Sequence, residues 1–143
     1  MRAQVPKMGS WSASVQIAKP PEAVWNVIGD YAKTPEWLPK VKAATQSQGP
    51  FGMGTKVAVT RGPMTINFTV EESSPPNKVV MGIVQGKVTG KTTFVLRPEA
   101  GGTLVDHTLD LNFKGLMKLF SPFMKGGIRK DLAALKKRCE SMS

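Results

Sequence analysis

Apolar residues recur along this chain at two spacings, and each spacing predicts a different element. Trp11, Ala13, Val15 and Ile17 alternate with Ser12, Ser14 and Gln16, the period of a strand with one apolar face. The alternation returns in Val57 and Val59, in Met64, Ile66, Phe68 and Val70, and in Val79, Met81 and Ile83. It continues in Thr92, Phe94 and Leu96, and in Val105, His107, Leu109, Leu111 and Phe113. Val41 to Thr45 supplies one more short strand, making seven. Near the C-terminus the spacing changes. Phe120, Met124, Ile128, Leu132, Leu135 and Cys139 fall at steps of four, four, four, three and four, which places them on one side of an α-helix. Ser121 suits an N-cap and Pro122 the first helical position, so the helix is predicted to start there and run nearly to the end. Gly126 and Gly127 lie one turn in, where each glycine costs about 1 kcal/mol relative to alanine. Close packing accounts for one of them; a hinge that admits a ligand accounts for both.

The punctuation between these segments sets their connections. Lys19–Pro20–Pro21 ends the first strand, and a short helix opens at Pro21–Glu22 with Val24, Val27, Ile28 and Tyr31 on one side. Gly29–Asp30 stops it, and Lys33 to Pro39 predicts a helical turn carrying Trp37. Residues 49–54 hold three glycines. A phosphate-binding loop would need a helix and a Lys-Ser/Thr pair after them. Here Thr55–Lys56–Val57 enters a strand, so a strand connection with positive φ is predicted. Gly62–Pro63, Ser73–Asn77 and Glu99–Gly102 are further turns. Strands joined by short turns pair antiparallel. The predicted architecture is therefore α+β: a seven-stranded antiparallel sheet wrapped around a long C-terminal helix, with two short helices after the first strand.

Composition narrows the function classes. A chain of 143 residues suits one domain, with residues 1–9 read as a flexible tail and 10–143 as the domain. No apolar run approaches the ~20 residues of a membrane span, and the N-terminus lacks the apolar region of a secretory signal. Cys139 is the single cysteine, which fits a reducing, cytoplasmic setting; one Cys and one His leave no metal centre, and no cofactor is expected. Charge is the outlier: 20 Lys+Arg against 10 Asp+Glu give +10. From Ser121 onward Lys125, Arg129, Lys130, Lys136, Lys137 and Arg138 face only Asp131 and Glu140. A solvated face accounts for this. The sharper alternatives are an anionic membrane surface or, less readily, nucleic acid or the ribosome, since the chain has no aromatic RNP motif and no Cys/His finger.

Groups for chemistry are few. His107, the one histidine, shares a strand face with Leu109 and Leu111, where it is a candidate general base or hydrogen-bond donor. A histidine satisfied by a local partner is the plainer reading. Arg61, in phase with Val57 and Val59, is a candidate for an anionic ligand group, or else a surface residue at a strand end. Tyr31 and Asp30 are weaker candidates, and helix termination accounts for Asp30. There is no Ser/His/Asp set and no carboxylate pair, so no catalytic assignment is made.

Several local patterns resemble one family. Ile17–Ala18–Lys19–Pro20–Pro21–Glu22–Ala23–Val24–Trp25, Trp37–Leu38–Pro39–Lys40–Val41, Val70 to Pro76, and the closing helix from Ser121–Pro122 to Glu140 follow the order found in the START-like (helix-grip, SRPBCC) superfamily. The wording is similar to its polyketide cyclase/dehydrase and lipid-transport branch, from Trp11 onward. The resemblance implies a helix-grip fold with a cavity between the curved sheet and the last helix, holding a hydrophobic or amphipathic molecule such as a lipid or polyketide. The lining expected from the strand faces is Val15, Val59, Met64, Ile66, Phe68, Met81, Phe94, Leu96, His107, Leu109 and Leu111, closed by Trp37, Phe120, Met124 and Ile128. Eight methionines would help such a lining adapt. The same residues could instead fill a core. A non-enzymatic binding protein is favoured over an aromatase/cyclase using His107 or Arg61, and over a basic, ribosome-directed or toxin-like module, because fold alone does not fix function.

Overall fold

Each strand buries only its apolar alternates, so the sheet needs one cover, and the one long amphipathic helix supplies it. A computed structural model describes residues 8–85, 88–112 and 121–142. The elements are β1 (Met8–Ile17), α1 (Pro21–Ile28), a 3-10 turn (Tyr31–Glu36), β2 (Val41–Gln46), β3 (Lys56–Arg61), β4 (Met64–Ser74), β5 (Lys78–Gln85), β6 (Val88–Glu99), β7 (Gly102–Asn112) and α2 (Ser121–Glu140). The strands form one antiparallel sheet in the order β1-β7-β6-β5-β4-β3-β2. Consecutive strands β1 and β2 thus stand at opposite edges, and α1 with the 3-10 turn spans the distance between them. This is the helix-grip architecture that the sequence predicts.

Register places the apolar alternates on a single face. Val15 pairs with Val105 and Val105 with Leu96; Phe68 pairs with Ile83, and Val59 with Ile66. Bulges at Val41/Ala43 and Val70/Glu72 interrupt the ladders, and such bulges increase bend and twist. The β6–β7 hairpin turns on Ala100 (φ 53°) and Gly101 (φ 80°), the left-handed pair that suits a two-residue connection.

The stripe of α2 is buried from Ile128 onward, as its spacing predicts. Ile128, Leu132, Leu135 and Cys139 join Ile17, Val24, Val105 and Leu96 in the main core. From α1, Val24, Trp25, Val27 and Ile28 are buried in the same core, and Trp25 meets Phe51 edge-on at 6.1 Å.

Several boundaries differ from expectation. β4 runs to Ser74, into the segment read as a turn, because Ser73 and Ser74 pair with Val79 and Lys78 on β5. β1 begins at Met8, inside the segment read as a tail, because Met8 and Gly9 find partners in Asn112 and Leu111 on β7. The 3-10 turn starts at Tyr31, before Lys33, and Trp37 lies just past its end with its N–H donating to the Thr34 carbonyl. Thr34 Oγ1 donates to the Tyr31 carbonyl and locks that turn. Phe113, Phe120 and the side chain of Met124 lie outside the described residues. Among the described residues, no helix is long and apolar enough to cross a membrane.

Gly127 is now separable from a packing role. A Cβ built there meets no heavy atom within 4 Å among the described residues. Replacing a glycine inside a helix by alanine, with open space around it, gains about 1 kcal/mol. Gly127→Ala is therefore expected to stabilise the protein by about that amount in chemical denaturation. A loss of stability would restore close packing as the reason for the glycine.

Candidate functional site

The concave face divides into a filled end and a looser one. Val59, Met81, Leu96 and Ile128, all expected as lining, are at most 4% exposed within the main core. A ligand reaches them only by displacing packed side chains. Toward the other end Ile83 and Leu111 form a second, small buried cluster, with Trp11, Ile66, Phe68 and Leu109 only partly buried against it. Trp11, Phe68 and Leu109 also touch the main core, and Phe94 is partly buried there. These side chains are half covered between the two cores, as Ala13 and Val15 are beside α2. Trp37 packs against the main core instead, and Met64 is 49% exposed at the β3–β4 turn, where the strand end leaves it without cover.

His107 sits in this region. Its neighbours across the sheet are Ala13 on β1 and Phe94 on β6, and its ring stacks on Phe94 with centroids 4.1 Å apart and planes 10° apart. Nε2 lies 2.6 Å from the buried Thr92 hydroxyl, while Nδ1 is buried without a partner among the described residues. Burial, reinforced by the Arg61 guanidinium, lowers the imidazole pKa to about 4. The ring is therefore neutral at pH 7, with one nitrogen engaged and the other buried and unsatisfied among the described residues.

Arg61 and Tyr31 form a second polar group. Arg61 reaches from the end of β3 to Asp131 on α2, Nη2 to Oδ2 at 2.8 Å. Burial outweighs that guanidinium and leaves the Asp131 carboxyl above its usual range. Tyr31 is buried, with its ring 6.2 Å from Phe51 and 6.5 Å from Phe68. Burial first, then the Asp131 carboxylate, push its phenol up, against a smaller pull from Arg61. Asp30 stays outside this set, 3.8 Å from Lys33 at the surface. Asp131 escaped the sequence analysis because it lies off the apolar stripe of α2, as a solvated residue would. Trp11 and Thr92 were visible as strand residues in the right phase, but nothing in the pattern marks them as site residues. Among the described residues no three or more His, Cys, Asp or Glu side chains gather as a metal site would require.

Two open grooves border this face, and Phe68 lines the second of them. One of about 370 Å³ runs between β1 and α2, and one of about 490 Å³ lies at the β2–β3–β4 end; His107 lines neither.

The fold has relatives. Residues 8–140 match the family described as polyketide cyclase/dehydrase and lipid transport. The chain belongs to that family. Among solved structures it is similar to a START superfamily protein from Mycobacterium smegmatis, at 15% identity and TM-score 0.78, covering 94% of this chain and 99% of that one. The di-domain ARO/CYC StfQ of the steffimycin biosynthetic pathway matches at 13% identity and TM-score 0.78, covering 94% of this chain and 51% of StfQ. Ara h 8.0201 matches at 16% identity and TM-score 0.74, covering 94% and 99%. No curated protein matches the sequence. Identities this low establish the fold alone; membership of the family rests on the match over residues 8–140.

The lowered pKa of His107 makes stability depend on pH. An unfolded chain protonates a histidine below about pH 6.5, whereas the folded protein resists until about pH 4. Proton uptake therefore favours unfolding across this window. The contribution is fully present above pH 6.5 and falls by roughly 3 kcal/mol on descent to pH 4. Urea denaturation at pH 7, 5.5 and 4.5 is expected to show a decline for the wild type that is shallower in His107→Gln. Parallel pH profiles for the two proteins would place the titrating group elsewhere.

Proposed function

We propose that this protein binds an amphipathic small molecule, apolar along most of its length and carrying one hydrogen-bonding group, on the concave face around Trp11, Phe68, Phe94 and Leu109. The observation that carries this reading is His107, a buried neutral imidazole whose Nδ1 has no partner among the described residues, stacked on the half-covered Phe94. An unsatisfied buried polar atom costs about 1–3 kcal/mol, and a ligand hydroxyl or carbonyl at Nδ1 would recover it. The family description, which names lipid transport beside polyketide cyclisation, supports the same class of ligand.

Binding is favoured over catalysis. A base with a pKa near 4 is a poor proton acceptor at neutral pH, and the guanidinium of Arg61 is already paired with Asp131. The cyclase reading keeps support from the family description alone. The anionic-surface reading is weaker than the sequence suggests, because Lys136 and Arg138 pair with Glu140 and Glu36.

A fluorescent fatty acid and a wholly apolar dye serve as probes. Leu109→Trp is expected to weaken both by tenfold or more by filling the space. His107→Leu should weaken the fatty acid by up to about tenfold, the worth of one hydrogen bond, and spare the dye. Wild-type affinity for both probes in both variants would move the binding site off this face.

A further inference from the structure

The outer edge of β1 is only half covered, and the covered half shows what the open half accepts. Residues along β1 turn their backbone groups alternately toward β7 and away from it. The Ile17 carbonyl faces β7, against Gly102. The Gln16 carbonyl faces outward and accepts a hydrogen bond from Lys136 Nζ at 2.8 Å. Just past the strand, the Ala18 N–H donates to Glu140 Oε2 at 2.9 Å. Lys136 and Glu140 are themselves paired at 2.8 Å, one turn apart on α2. A donor and an acceptor from α2 thus stand where the N–H and C=O of a neighbouring strand would be.

By the same parity, Ser12 and Ser14 turn their N–H and C=O outward, and among the described residues nothing accepts from or donates to these groups. The Ser14 side chain is engaged elsewhere, its Oγ donating to Asp106 on β7. Beside this open edge runs the groove of about 370 Å³, lined by Ala13, Val15, Leu132, Ala133 and Arg129. Its floor is apolar and its rim cationic, for Arg129 is exposed and no carboxylate among the described residues reaches it.

We infer that this edge is a docking site for an extended segment of a partner polypeptide carrying an acidic side chain. The segment adds a strand outside β1, pairing with Ser12 and Ser14. Its alternate side chains enter the slot over Leu132 and Ala133, and its carboxylate meets Arg129. Backbone groups in a row call for another strand, which neither a lipid surface nor a helix supplies. A second copy of this chain is the poorer occupant, because twofold pairing of β1 edges would set two cationic α2 faces side by side.

The test uses a short synthetic peptide alternating valine with aspartate or threonine, titrated into the isotope-labelled full chain. In the free protein, amide exchange is expected to be fast at Ser12 and Ser14 and slow at Ala13 and Val15. Peptide should shift and protect the Ser12 and Ser14 amides. Arg129→Glu should weaken the peptide by about tenfold. Ser12→Pro, which removes an outward N–H without touching the β7 ladder, should weaken it by tenfold or more. The proposal is overturned by equal protection of all four amides in the free protein, or by shifts that fall on His107 and Thr92 instead. Wild-type affinity in folded Ser12→Pro, or a dimer in sedimentation that this variant dissociates, would overturn it as well.

Discussion

Ile128, Leu132, Leu135 and Cys139 give α2 one face that must leave water, and only the concave side of the sheet can receive it. That requirement shapes the remainder of the chain. A sheet whose strands each bury one face must bend to meet a single helix, and the bulges in the β2–β3 and β4–β5 ladders fall where bending is needed. The two sheet edges cannot pair with each other across the helix, so α1 and the 3-10 turn fill the opening between β1 and β2. The buried side of α1 then completes the core around the C-terminal half of α2.

Apolar burial is non-directional, so it fixes the depth of α2 but not its axial position. Polar ties do that. Arg61 on β3 holds Asp131; Lys136 and Glu140 hold the end of β1; Arg138 reaches Glu36 in the 3-10 turn. Each tie joins α2 to a different element. A slide of one residue would break all of them together, although each half-exposed pair contributes little alone. Two of these ties engage Lys136 and Arg138, two of the six basic residues from Ser121 onward.

The fold was legible because strand alternation and helix spacing are both long in this chain. Met64 to Val70 alone gives four alternations, and the α2 stripe five steps. The site was legible only in part. Every strand residue expected to line a cavity does share the concave face, since that follows from period and register. Whether such a residue is packed or accessible depends on what crosses above it, and sequence phase is silent on that. Met81 and Leu109 look alike in the pattern, yet one is fully buried in the core and the other only partly covered. Asp131, Lys136 and Glu140 read as a solvated helix face, because an ion pair between distant segments leaves no periodic trace.

His107 is the polar exception on a face otherwise shaped by packing. A strand face that had only to cover α2 would be served by leucine at this position, between Val105 and Leu109. The imidazole brings a buried nitrogen with no partner among the described residues, and Thr92 and the stacked Phe94 offset that cost only in part. Local disagreement between a residue and its packing environment concentrates at functional positions. On this face, where Val59, Met81 and Leu96 obey the packing rule fully, the exception lies beside Phe94 and Leu109, which the core leaves half covered.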